Sequence, residues 1–298
     1  MHILVRGAAT ALVTLVAAFA AAPSSAYAAD SSSAGTITPQ ATWFTGTISP
    51  GASLNQKWNN TNPSLAYLVG LNPQGAGTTT PCQMEVTRTW YVQQPGGEVE
   101  FWFTIKNIGT LACSTEILLT WLPNIAGAWS TGGVDPGASV TKHWNNANPL
   151  TNSYVAGLSP VGATGTTACQ FEVTREWYAQ QPGGEREFWF TIKNVGTIAC
   201  STNILLGTKA STKITTTGTL AAGASISKSW NNANPLNAAH IVGLSPLGAT
   251  STACQLEVTR TWYRQVINPP AERELRYTVK NVGSISCSAD VLLALNTA

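Results

Sequence analysis

The chain is poor in charge. Its 16 Lys and Arg and 14 Asp and Glu make up only 10% of 298 residues. No basic tract can follow a phosphate backbone, which counts against nucleic acid as a partner. Aspartate is nearly missing, with only Asp30, Asp135 and Asp290, so the clustered carboxylates of a calcium cage are not available. No CxxC pair is present and no His recurs near a Cys, so the sequence supplies no metal centre and implies no cofactor. His143 aligns with Lys57 and Ser229, and His240 with Tyr67 and Tyr154, so neither belongs to a repeated triad. Beyond the N-terminus no segment approaches the ~20 apolar residues of a membrane span. Helical periodicity is absent throughout.

The N-terminus does carry an apolar run. Arg6, the stretch Ala8 to Ala22, and Ala26-Tyr27-Ala28 match a secretory signal peptide over residues 1–28. Residues 29–40, rich in Ser, Thr and Gly, read as a flexible leader. The expectation is a secreted, extracellular protein that does not span a membrane once the signal is removed.

What fills the rest is repetition. The text CQFEVTREWYAQQPGGEREFWFTIKNVGTIACSTNILL, Cys169 to Leu206, recurs with few changes at Cys82–Leu119 and Cys254–Leu293. Self-similarity of this kind decides the fold reading. Three units of about 86 residues follow, at 41–121, 128–207 and 214–298, joined by short linkers at 122–127 and 208–213. Each unit has a Trp before two Asn (Trp58, Trp144, Trp230) and a short apolar strand holding Gly70, Gly157 or Gly243. Turn signals every ~8–12 residues predict an all-β fold: three tandem immunoglobulin-like β-sandwich repeats.

Within the middle copy, Cys169, Phe171, Val173, Arg175 and Trp177 alternate with polar neighbours, as do Phe188, Phe190 and Ile192 after Pro182-Gly183. A two-residue turn at Pro182-Gly183 would pair Trp177 with Phe188, and Tyr178 with Glu187. That register places Trp90, Trp177 and Trp262 on the core face. It turns Tyr91, Tyr178 and Tyr263 outward, beside Trp102, Trp189 and Arg276. Gly109, Gly196 and Gly283, in the Asn-x-Gly turns, are expected at positive φ. Six Cys in an exported chain fall two per unit. Cys82–Cys113, Cys169–Cys200 and Cys254–Cys287 are the expected disulfides, each closing a loop that should stabilise its unit by roughly 3–4 kcal/mol.

The segment FWFTIKNVGTIAC, with the Pro-Gly turn that opens each unit, resembles bacterial extracellular immunoglobulin-like repeats of the CARDB adhesion-related kind. The match covers about a third of each unit, and the order of the two turns is reversed from that family's usual order. The resemblance implies a sandwich fold and a role in surface adhesion or spacing.

Two constellations bear on function. Glu85 and Arg88 recur as Glu172 and Arg175, and as Glu257 and Arg260, with Glu100, Glu187 or Glu274 on the next strand. Paired carboxylates make a glycosidase geometry thinkable. Pairing across the sheet, with the Arg stem over an aromatic ring, is the stronger reading. The outward set Tyr91, Trp102, Tyr178, Trp189, Tyr263 and Arg276 forms the candidate binding surface, suited to a sugar ring or a partner's aromatic side chain. The function expected is therefore non-enzymatic binding or adhesion, with a glycan or a cell-surface protein as partner. The alternatives are a structural spacer or assembly subunit, in which the same residues are packing contacts, and then a secreted hydrolase or toxin component.

Overall fold

The computed structural model describes residues 41–298 except 60, 146, 232, 234, 236, 267–271 and 298. The expected signal peptide and leader, and most of the longer hairpin tip of unit three, lie outside the described residues. The fold is all-β, with no helix among the described residues. Unit one holds β1 (Ala41–Phe44), β2 (Ser53–Trp58), β3 (Leu65–Gln74), β4 (Cys82–Gln93), β5 (Val99–Asn107) and β6 (Ser114–Pro123). Unit two holds β7 (Ser139–Trp144), β8 (Asn152–Val161), β9 (Cys169–Gln180), β10 (Arg186–Asn194) and β11 (Ser201–Ala210). Unit three holds β12 (Thr212–Thr216), β13 (Ser225–Trp230), β14 (Ala238–Leu247), β15 (Cys254–Gln265), β16 (Arg273–Asn281) and β17 (Ser288–Thr297). The segments expected as linkers are partly strand: β6 runs past Leu122, and Thr208 to Lys213 falls in β11 and β12.

In unit one, β2-β5-β4 form one sheet and β1-β6-β3 the other. The orders 2-5-4 and 3-6 match the B-E-D and C-F orders of an immunoglobulin sandwich, with β1 in the place of the last strand. The middle unit repeats this as β7-β10-β9 and β8-β11, and the third as β13-β16-β15 and β12-β17-β14. Cores form because alternate residues of both sheets are apolar. Phe101, Phe103 and Ile105 meet Leu71, Ile117 and Leu119 in unit one, all fully buried. The disulfides are Cys82–Cys113, Cys169–Cys200 and Cys254–Cys287, as the spacing predicts.

The Asn-x-Gly turns work differently from expectation. Gly109, Gly196 and Gly283 are not among the positive-φ glycines. Their hydrogen is needed for space: a Cβ on Gly196 would lie 3.2 Å from the Gln170 backbone nitrogen. The preceding Asn is the anchor. Asn194 is fully buried, donates to the carbonyls of Val134 and Ile198, and accepts from the Gly196 N–H.

The hairpin register is also corrected, by one residue. The turn spans Gln181 to Glu185: Gln181 N–H donates to Glu185, Gly184 N–H donates to Gln181, and Gly184 sits at φ +88°. This is a three-residue turn with a glycine bulge. It pairs Tyr178 with Phe188 and Trp177 with Trp189. A second bulge, between Val173 and Arg175, flips the strand's parity midway. Cys169 and Phe171 therefore face the core from one half of β9 and Tyr178 from the other. Both features recur in unit one, and the mid-strand bulge recurs in unit three.

The three units share their sheets. The last four residues of β4, Trp90 to Gln93, pair with Cys169 to Glu172 of β9. Likewise Trp177 to Gln180 pair with Cys254 to Glu257, and Trp262 to Gln265 return to Cys82 to Glu85. The result is a nine-stranded sheet system closed through a triangle of β4, β9 and β15. Because each strand is paired with the other units only at its two ends, the middle residues edge a triangular gap. Behind the triangle, the glycine strands pack by close approach. A Cβ on Gly157 would lie 2.8 Å from the Ala66 Cα, and one on Gly70 would lie 3.3 Å from the Ala239 Cα. On Gly243 it would lie 2.5 Å from the Ser153 hydroxyl. Each repeated glycine thus faces a different unit.

Candidate functional site

The outer face of the shared sheet carries a ladder in each unit, set up by the two bulges. In unit one Trp90 on β4 stacks on Trp102 of β5, centroids 5.6 Å apart and planes 23° apart. Arg88 covers the other face of Trp90 at 4.6 Å, and Lys57 of β2 covers Trp102 at 5.2 Å. Unit two repeats the stack as Arg175, Trp177, Trp189 and His143, the last two rings 4.2 Å apart. Unit three keeps Arg260 over Trp262, but Arg276 takes the place of the second Trp.

The arginine ending each ladder crosses a seam. Arg88 pairs with Glu172 at 2.8 Å, Arg175 with Glu257 at 2.7 Å and Arg260 with Glu85 at 2.7 Å. A glutamine reinforces each seam: Gln93 Oε1 accepts from Gly162 and Ala163, Gln180 Oε1 from Gly248 and Ala249, and Gln265 Oε1 from Ala76. The repeated Glu–Arg pairs therefore join neighbouring units instead of crossing the sheet within one.

The Glu of the second hairpin strand orients the ladder. Glu100 accepts from Lys57 Nζ at 2.7 Å, Gln94 Nε2 at 2.6 Å and Trp102 Nε1 at 2.9 Å. Burial pushes its carboxyl up, but the hydrogen bonds from Lys57, Gln94 and Trp102 outweigh that and hold it below the usual range. Glu187 accepts from Gln181 and Trp189. In unit three Glu274 takes Arg264 and Arg276 instead.

Of the residues expected to form the binding surface, Trp102, Trp189 and Arg276 do lie on the outer face, partly exposed. Tyr91, Tyr178 and Tyr263 do not; they are 3%, 4% and 5% exposed and belong to the core. Their rings contact Phe101, Phe188 and His240, and their hydroxyls accept from the backbone of Tyr67, Tyr154 and His240. Burial raises all three phenols well above their ordinary range. The Trp set expected in the core is buried, at 8% exposure each, but on the outer face beneath Arg88, Arg175 and Arg260, where the tyrosines were expected. The longer turn and the mid-strand bulge each change which residues face out, and Pro-Gly-Gly was the available signal for the first.

A shallow cleft opens where the first ladder meets unit two. It is lined by Trp90, Val92, Gln94, Trp102, Ala168 and Gln170. Val92 lies opposite Gln170 in the seam ladder, so the cleft has an apolar floor, an indole wall and two carboxamides. The second seam sets Ala179 opposite Gln255, and the third sets Arg264 opposite Gln83. The third therefore carries an Arg264–Glu274 ion pair where the other two have uncharged side chains. No family model, curated protein or solved structure matches this chain.

Proposed function

We propose that the chain is a secreted, non-enzymatic binding protein whose ligand is a glycan, held at the seams between units. The observation that carries this reading is the cleft at the first seam, where indole edges and an apolar floor meet the amides of Gln94 and Gln170. Such a mixture suits the alternating C–H and hydroxyl surface of a sugar. Export is supported by the six cysteines, all of which are in disulfides. Against catalysis, Glu100 is tied by three side-chain donors and held ionised, which makes it a poor general acid.

One observation favours the alternative role as a scaffold or assembly subunit. The faces of Trp102 and Trp189 are taken by Lys57, His143 and the neighbouring Trp, so a sugar would meet ring edges. A glycan array on the secreted chain separates the two. The glycan reading expects a neutral ligand, and it expects Gln170→Ala to lower binding capacity without shifting the melt. A blank array leaves the scaffold reading.

A further inference from the structure

The pseudo-threefold axis passes through a second feature, distinct from the outer clefts. Behind the triangular gap lies a cavity of about 310 Å³, lined by equivalent positions from all three units. Val86, Val173 and Val258 line it from the triangle, and Val69, Ala156 and Val242 from the glycine strands. A void of this size falls at the lower end of the range for small-molecule sites.

Its polar groups break the symmetry. Where units one and three place Thr89 and Thr261, unit two places Glu176. Where units one and two place Tyr67 and Tyr154, unit three places His240. One Glu176 oxygen accepts the Ala156 N–H at 2.8 Å. Glu176 forms no ion pair among the described residues, although every seam glutamate has one. Glu176 is only partly exposed, and a carboxylate facing the cavity's valines and tyrosines without a cation is costly. Two units do without it at the same position, so the fold itself does not require it. His240 is held neutral by burial, its pKa pushed down to about 4, and Nδ1 lies 3.3 Å from the Tyr263 hydroxyl. A neutral imidazole does not repel a cation.

We propose that the axial cavity binds a small aliphatic ammonium ion, its charged end on Glu176 and its alkyl chain against the ring of valines. Thr261, exposed on the rim of the gap, marks the entry. The ammonium supplies the partner that the carboxylate lacks, and the alkyl chain packs against the valines while the tyrosine and threonine hydroxyls stay hydrated. The size of the cavity limits the chain to a few carbons.

The test is calorimetry on the secreted chain with n-butylammonium, and with n-butanol as the uncharged match. The expected result is one amine site per chain and binding about tenfold or more weaker for the alcohol, the scale of one charge-assisted hydrogen bond. Glu176→Gln should lose the preference for the amine. Burial pushes the Glu176 carboxyl up to about 7, so amine binding at pH 6 should release close to one proton, read from heats in buffers of different ionisation enthalpy. This release needs no variant to fold. Absence of amine binding at millimolar concentration, equal binding of the alcohol, unchanged binding to the Gln variant, or binding without proton release would each overturn the proposal.

Discussion

The seams and the axis use the same three units in opposite ways. At the seams every copy carries the same glutamate, arginine and tryptophan, and the three ion pairs differ by only a tenth of an ångström, 2.7 to 2.8 Å. Along the axis the copies diverge: Thr89, Glu176 and Thr261 share one position, and Tyr67, Tyr154 and His240 another. Contacts that close a ring must be satisfied three times with one geometry, so one solution serves all. A ligand on a symmetry axis sees all three units at once, and a single changed side chain is enough to give it polarity. Repetition thus marks what holds the molecule together, and its breaks mark where distinct chemistry is placed. The outer ladder falls between the two, identical in its inner Trp and changed at Arg276.

The largest effect is expected at the glycines that bring the units together. Gly157→Val would drive a side chain into the Ala66 backbone, which sits 2.8 Å from even a Cβ. Backbone cannot step aside as a side-chain tip can, so we expect a loss of about 3 kcal/mol or more, seen as a lowered melting temperature. A melt within a degree of the parent would show that the units are not packed through this glycine.

The second test titrates the axis. The Glu176 carboxyl, desolvated against the cavity although the residue keeps part of its surface exposed, is raised from 4.5 to about 7, so the folded state holds its proton more tightly than the unfolded chain. Its contribution to stability is present below pH 4.5 and is lost as pH rises to 7. His240 is lowered from 6.5 to about 4, so its contribution is present above pH 6.5 and is lost as pH falls to 4. The Tyr91 and Tyr178 phenols beside Glu176, and Tyr263 beside His240, are raised and stay neutral across this range. Between pH 4.5 and 6.5 the two slopes oppose each other, and the parent should be nearly flat. Glu176→Gln should gain stability with rising pH there, and His240→Tyr should lose it, each by roughly 1–3 kcal/mol over the range. Denaturant melts at pH 4.5, 5.5 and 6.5 read the slopes directly. Parallel curves for parent and variants would remove both groups from the account.

The smallest effect belongs to the seams. Arg88→Ala, Arg175→Ala and Arg260→Ala each remove one ion pair and one cation–π contact. The arginines are about two-fifths exposed, at 41%, 40% and 42%, so solvent screens the pairs. We expect about 1 kcal/mol from each, with the three values agreeing closely. A large spread among them would show that the seams are not equivalent.

Much of the fold was legible in the sequence. Strand alternation, turn spacing and two cysteines per copy lead directly to disulfide-linked sandwiches. The reading failed at Thr174 and Gly184. A threonine suits either face of a strand, so alternation gave no sign of the bulge that it occupies. Gly184, in left-handed backbone, lengthened the turn by one residue and turned Trp177 out and Tyr178 in. Seam pairing was hidden for a different reason. When Glu172 and Arg175 recur unchanged in every copy, the text is the same whether an arginine pairs within its unit or with the next. Glu176 and His240 were visible as exceptions to the repeat, but only the fold places them along one cavity.

The triangle of β4, β9 and β15 fixes a stoichiometry. Every unit offers a head, the first four residues of its Cys strand, and a tail, the last four. With three units each tail finds a head, and no such edge is left open to recruit another chain. A chain cut to two units would keep one unmatched tail and one unmatched head, complementary to each other and to those of its copies. It would be driven to associate, because a head-to-tail contact propagates until a ring closes it. A single unit carries both halves as well, so three separate copies contain everything needed to rebuild the ring that this chain closes alone.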